Sequence, residues 1–256
     1  MSDEQAVLSE RRGRILLITI NRPEQRNAVN AAVARGIAGA LDELDGDQSL
    51  SVGVLTGAGK GFCAGMDLKA FVAGERPHVE GRGFAGIVER PAEKPLIAAV
   101  EGFAVAGGLE VALACDLIVA ARGARLGIPE VKRSLVAAGG ALLRLPRALP
   151  RNVAMELALT GDPIEAERAH ELGLVNRLAD AGEALASALQ LAETIASNGP
   201  LALAATKRVL LESADWPDGE FFARQSEITT PVFASEDARE GATAFAEKRE
   251  PVWKGR

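Results

Sequence analysis

Tyrosine is absent from this 256-residue chain, histidine and cysteine occur twice each, and aromatic residues make up only 4%. Lack of tyrosine removes a common proton donor and leaves carboxylates as the leading acid and base groups. The two histidines, His78 and His170, stand in polar helical or loop contexts without a second metal-type ligand at suitable spacing, which disfavours a metal site. Neither accompanies a GxSxG elbow, so a Ser-His or Cys-His hydrolase has no visible signature. Cys63 and Cys115 lie among apolar residues and are expected to be reduced and buried. The start Met1-Ser2-Asp3-Glu4-Gln5 lacks the basic and apolar regions of a signal peptide, and no apolar run reaches the roughly 18 residues that span a bilayer. A soluble cytoplasmic protein without a membrane partner is expected. Lys and Arg number 29 against 35 Asp and Glu, giving a net charge of −6, and the basic residues are dispersed until the last ten positions. No stripe for nucleic acid emerges.

What is present is an ordinary globular profile, 48% hydrophobic and 25% charged. A β-branched strand over 14–20 ends at Asn21-Arg22-Pro23, and Val33, Ile37, Leu41 and Leu44 recur at helical spacing over 30–44. A strand over 51–56 runs into a glycine-rich turn, followed by a polar helical stretch at 78–92 and a strand over 95–100. An apolar helix from Gly107 and a buried strand over 116–120 come next. The C-terminal third reads as helices at 152–159, 166–172, 181–197, 200–213 and 237–248, with a short strand at 174–178. Strand, helix, strand units imply parallel pairing in an α/β fold.

The glycine-rich run 57–61 fails both phosphate-loop patterns. Val54 stands where a Walker loop needs glycine, Gly61 where it needs Ser or Thr, and Phe62 takes the third glycine place of GxGxxG. A plain strand-to-helix turn is the simpler reading. The second glycine turn leads into a helix whose only charge is Glu110, in its first turn. That carboxylate is either a residue stabilised by the helix N-terminus or an acid/base group in an apolar pocket. Glu130, after the rigid Ile128-Pro129 turn, is either a solvated loop residue or a second such group.

Four segments taken together resemble the crotonase family, the enoyl-coenzyme A hydratase/isomerase superfamily, over nearly the whole chain. They are Asn21-Arg22-Pro23 with Asn27-Ala28, then Gly61-Phe62-Cys63-Ala64-Gly65-Met66-Asp67-Leu68-Lys69, then Lys94-Pro95-Leu96-Ile97-Ala98-Ala99-Val100 with Gly107-Gly108-Leu109-Glu110, and lastly Pro129-Glu130. The tail Ala244-Phe245-Ala246-Glu247-Lys248-Arg249 fits as well. The resemblance implies a spiral of ββα units over 1–195, carrying the active site, and a helical region over 196–256 for trimerisation and contact with coenzyme A. It implies an oxyanion hole from the backbone N–H groups of Met66 and Gly107. Glu110 and Glu130 would be the catalytic pair, Glu110 activating water and Glu130 protonating the α-carbon of a trans-2-enoyl thioester. Arg26, Ala64, Lys69, Phe245 and Lys248 would bind the coenzyme, which belongs to the substrate, with no separate cofactor and no metal. A homotrimer or dimer of trimers follows, with Phe245 and Lys248 reaching a neighbouring subunit's site. Hydratase is the leading activity, and a carnitinyl-type dehydratase, an isomerase and an inactive coenzyme A binder are the alternatives. After Pro129-Glu130 the chain reads Val131-Lys132-Arg133-Ser134-Leu135-Val136-Ala137-Ala138-Gly139-Gly140, where typical short-chain hydratases carry Leu-Gly and Pro-Gly in a loop one residue longer. The more cationic first half and bulkier second half imply an acyl pocket of altered size or polarity.

Overall fold

The computed structural model describes residues 5–256, so residues 1–4, on which the reading of the N-terminus partly rests, lie outside the described residues. The chain begins with an antiparallel hairpin, β1 (Val7–Arg12) and β2 (Ile15–Ile20). Helix α1 (Ala31–Gly46) follows, its first turn capped by the Asn30 side chain, which accepts from the Val33 N–H. Next come β3 (Val52–Gly57), the short helix α2 (Leu68–Val72) and a small hairpin of β4 (His78–Val79) and β5 (Gly83–Phe84). Strands β6 (Leu96–Val100) and β7 (Phe103–Val105) lead to helix α3 (Gly107–Leu113), and β8 (Leu117–Ala121) and β9 (Arg125–Gly127) to α4 (Ala141–Ala148). The chain closes with α5 (Arg151–Thr160), β10 (Ile164–Glu165), α6 (Ala166–Glu171), β11 (Arg177–Ala179), α7 (Ala184–Ala196), α8 (Pro200–Glu212), α9 (Phe221–Phe233) and α10 (Glu236–Glu247).

Apart from the β4–β5 hairpin, two sheets divide these strands. The larger has the order β1-β2-β3-β6-β8-β11, parallel from β2 onward, and the smaller has the order β10-β9-β7. Strand β2 shows how the larger sheet is covered on both faces. Leu16, Ile18 and Ile20 join the cluster that includes Val33, Ile37, Leu41 and Leu44 of α1, whereas Ile15 and Leu17 join Ala188, Leu191 and Ala192 of α7. A one-residue slip would exchange those two sets, so the alternation fixes the register. Two successive turns visit the larger sheet, then the smaller one, then a helix, as ββα units β6-β7-α3 and β8-β9-α4, and between β3 and α2 the chain touches β7 through the bridge of Cys63 to Ala104. The spiral expected from the resemblance is therefore present, with the helices α8, α9 and α10 after it. Among the described residues no helix is long and apolar enough to cross a membrane.

The polar helix expected at 78–92 is not there. Gly81, Gly83 and Gly86 adopt φ of 69°, 71° and 70°, and Ala85 adopts 55°, conformations that break a right-handed helix. A side chain on Gly86 would also strike the Ala34 carbonyl oxygen, so this segment packs tightly onto α1. His78 consequently sits on a strand. Among the elements beyond the expected ones are the short strands β4, β5, β7, β9 and β10, the short helix α2, the exposed and charged edge strand β1, helix α4, which contains Pro146, and helix α9, which contains Pro231 and buries none of its residues.

Candidate active site

The segment 62–67 is held between two others. Phe62 and Cys63 donate to the Phe103 carbonyl, and the Cys63 carbonyl accepts from Val105. On the other side Ala64 donates to the Arg26 carbonyl, Val29 to the Gly65 carbonyl, and Asp67 to the Val29 carbonyl. Asn27 is buried and bridges the Ala58 and Gly61 carbonyls at 2.8 Å each, which fixes the glycine turn. Once these bonds are made, the Met66 N–H has no acceptor among the described residues. The Gly107 N–H has none either, because it opens α3, where the first amides lack an intrahelical partner. The two backbones run close together at this point. Gly65 has φ of 90°, and a Cβ there would lie 2.8 Å from the Gly107 nitrogen. Ala106, just before Gly107, adopts φ 53° and ψ −134°, a strained conformation for a residue with a side chain.

Glu110 follows on the first turn of α3 and is 4% exposed. Its Oε1 accepts from the Gly139 N–H at 2.7 Å and from the Ala141 N–H at 3.2 Å. Burial pushes its carboxyl above the usual range, against the pull of those amides and of Arg144. Glu130 sits on a 3-10 turn, Pro129–Arg133, started by the fixed φ of the proline. Its Oε2 is buried without a hydrogen-bond partner among the described residues. Burial raises its carboxyl as well, and the charge of Glu110 adds to the effect while Arg133 opposes it. Carboxyls raised by burial inside a cavity are candidates for acid and base groups. Cys63, by contrast, is buried with its thiol pushed up to about 12, and so remains an inert thiol.

Met66, Gly107, Glu110 and Glu130 line one cavity of about 510 Å³, together with Arg26 and Ala64. The other expected coenzyme ligands are elsewhere. Lys69 is exposed on α2 outside the cavity wall, and Phe245 and Lys248 lie exposed on and just after α10. One chain alone does not bring the last two to this cavity.

The enoyl-CoA hydratase/isomerase family model matches residues 10–256. The chain belongs to that family. It is 44% identical to an enoyl-CoA hydratase, EchA19, of Mycobacterium tuberculosis over 97% of this chain and 96% of that one. A carnitinyl-CoA dehydratase of Salmonella enteritidis is 42% identical over 96% of this chain and 97% of the relative. The crystal structure of enoyl-CoA hydratase EchA1 from Mycobacterium marinum superposes with a TM-score of 0.97 at 64% identity, covering 99% of this chain and 100% of the other.

Several residues of this hydratase/isomerase family member join the site without a sequence signal strong enough to single them out. Gly139 and Ala141 hold Glu110 through their amides, and the only hint was the Gly139-Gly140 pair. Arg144 braces that loop, donating to the Val88 carbonyl at 2.6 Å and to the Gly139 carbonyl at 3.4 Å. His78 and Phe84 line the cavity from the β4–β5 hairpin with their rings edge to face, 5.9 Å apart. Leu135 and Val136 supply apolar wall, and Arg133 a cation. The first three sites depend on contacts between segments about 30 to 60 residues apart, which local pattern does not encode.

Proposed function

We propose that this chain is an enoyl-CoA hydratase that adds water reversibly to a trans-2-enoyl thioester. The observation carrying this reading is one cavity lined by two backbone N–H groups without acceptors and two glutamates with raised carboxyls. The thioester carbonyl would sit between the amides of Met66 and Gly107. Glu110 takes a proton from water, and the hydroxyl oxygen bonds to the β-carbon. The carbon–carbon π electrons shift to the thioester oxygen as an enolate, which the two amides stabilise. One such donor contributes about 2.7 to 4 kcal/mol in a transition state. Collapse of the enolate takes a proton from Glu130 at the α-carbon, and the two carboxyls titrate as a pair. Run backwards, the same steps dehydrate a 3-hydroxyacyl thioester, the sense of a carnitinyl-type reaction. Arg26 and Ala64 are at the cavity and suit the coenzyme portion.

The C-terminal helices support an assembled enzyme. Helix α9 buries none of its residues in the isolated chain, and Phe222, Phe233 and Phe245 are 76%, 79% and 87% exposed. Apolar area of that kind calls for a partner surface. We read 196–256 as the region through which a homotrimer or a dimer of trimers forms, bringing Phe245 and Lys248 to a neighbouring site, with Lys69 at its mouth. Two free buried cysteines agree with a reducing, cytoplasmic location. The decisive experiment is the ultraviolet loss of conjugated enoyl absorbance on crotonyl-coenzyme A. Turnover that falls at least a hundredfold in Glu110→Gln and in Glu130→Gln supports the mechanism, and an undiminished Glu130→Gln enzyme overturns it. Analytical ultracentrifugation reads the assembly, and a monomer at micromolar concentration rejects the trimer.

A further inference from the structure

The cavity carries more positive charge than the proposed chemistry uses. Arg133 ends the same 3-10 turn that holds Glu130, three residues further on, and it lines the cavity. Its neighbour Lys132 is neutralised by an ion pair with Asp162. The exposed Arg133 guanidinium has no ion pair or hydrogen bond among the described residues. Beyond it the wall turns apolar through Leu135 and Val136, 45% and 69% exposed. A guanidinium presents a planar fork of donors that matches a carboxylate, and it is always charged near neutral pH.

The position of Arg133 separates it from the expected coenzyme end. Arg133 ends the short turn that carries Glu130 and lines the cavity beside it, which puts it on the wall of the proposed α-carbon acid, the acyl side of the thioester. The same wall is poorly suited to a quaternary ammonium. Such cations are recognised by the faces of aromatic rings, and the aromatic lining here consists of Phe84 and His78 alone, set edge to face. The chain has no tyrosine, and Trp216 and Trp253 lie outside the cavity lining.

From this arrangement we infer that Arg133 is a specificity residue selecting 2-enoyl thioesters whose acyl chain ends in a carboxylate, and rejecting chains that end in a trimethylammonium group. The inference rests on the hydratase reading for its reaction and on the unpaired guanidinium for its substrate class. It also separates this chain from the carnitinyl-type alternative, in spite of the 42% identity to a carnitinyl-CoA dehydratase.

The test uses three enoyl thioesters of coenzyme A built on one crotonyl skeleton: crotonyl, its 4-carboxy derivative and its 4-trimethylammonio derivative. kcat/KM is measured for the unaltered protein and for Arg133→Gln, and binding of the matching saturated thioesters is measured by calorimetry. The unaltered protein should prefer the carboxylated substrate over the cationic one by at least tenfold. Relative to crotonyl-coenzyme A measured on the same protein, Arg133→Gln should lower kcat/KM for the carboxylated substrate about tenfold or more and raise it for the cationic substrate. Equal losses on all three would assign the guanidinium to the shared coenzyme portion, and unchanged ratios would show that it reads nothing; either overturns the inference. Binding is scored independently. If no substrate is turned over, the hydratase reading fails, while a carboxylate preference in the calorimetry that Arg133→Gln abolishes still supports the inference, and its absence rejects it.

Discussion

Replacing Gly139 by alanine isolates the placement of Glu110 from its chemistry. The backbone at Gly139 is outside the left-handed region, so alanine is compatible with its conformation. The added Cβ, however, would lie 2.5 Å from Glu110 Oε2, where ordinary contact begins at 3.4 Å. The carboxylate must retreat by about 1 Å, and a misplacement of that size at reacting groups costs about a hundredfold in rate. A second route gives a similar figure. Weakening the 2.7 Å bond from the Gly139 amide removes a hydrogen bond to a charged group, worth about 1.5 to 3 kcal/mol, or roughly ten- to a hundredfold. Gly139→Ala is therefore expected to lower kcat on crotonyl-coenzyme A ten- to a hundredfold with KM little changed and a thermal midpoint near that of the parent. Gly140→Ala makes the comparison, because φ of 101° there forces strain on any side chain. Its loss should show in thermal stability. A Gly139→Ala enzyme with parental kcat would refute the claim that the amide-held carboxylate is the reacting group.

Glu130→Gln should raise the thermal midpoint at pH 8 while removing activity. The folded-state carboxyl of Glu130 is raised, so its charged form penalises the fold above that value; the gain from glutamine should vanish as pH falls below the unfolded value of about 4.3. Midpoints measured from pH 4 to 8 check this, and a gain independent of pH would contradict it. Lys207→Met should cost about 3 kcal/mol in denaturant unfolding, because the buried ammonium donates to the Ala92 and Lys94 carbonyls and pairs with Asp116 at 2.7 Å, and its loss strands both carbonyls and leaves the Asp116 carboxylate only the Leu96 N–H. Adding Asp116→Asn should restore part of that loss. Ala106→Gly should keep activity and stabilise by about 1 kcal/mol, since it relieves the φ 53°, ψ −134° conformation; a lower midpoint would show that no strain is stored there.

The parts of this fold that were legible in sequence are those where each residue's neighbours in the chain decide its environment. Strand β2 and helix α1 announce themselves because every second or every third-to-fourth residue enters a core. The 78–92 stretch misled because its polarity resembles an exposed helix, while its glycines at positive φ, packed on α1, impose turns instead. Helix α9 is hard to read for the opposite reason: its apolar residues are split between half-buried Phe221, Ile228 and Val232 and exposed Phe222 and Phe233, so no single stripe marks it. At the site, Glu110 and Glu130 stood out as charges beside glycine and proline turns. The amides of Gly139 and Ala141 did not, because a backbone donor has no residue signature and its direction is set by a distant partner.

The spiral explains why one cavity collects these groups. In three successive turns the proposed functional group lies just after the chain leaves the smaller sheet. Cys63 bridges in parallel to Ala104 beside β7, and Met66 follows three residues later. Strand β7 ends at Val105, and Gly107 follows across the strained Ala106. Strand β9 pairs in parallel with β7, Val105 opposite Gly127, and Glu130 follows after Pro129. Parallel pairing sends all three exits in one direction, so the groups arrive side by side at one edge, much as ligands gather at the carboxyl ends of parallel strands. Glu110 is the exception that completes the set. It rides one turn into α3, which places its carboxyl deeper and leaves it dependent on the 139–141 loop for its orientation. Substitutions that alter side chains at Met66 should therefore matter far less than those that disturb the pairing of Cys63, Val105 and Gly127, because pairing, and not side-chain identity, aims the two amides.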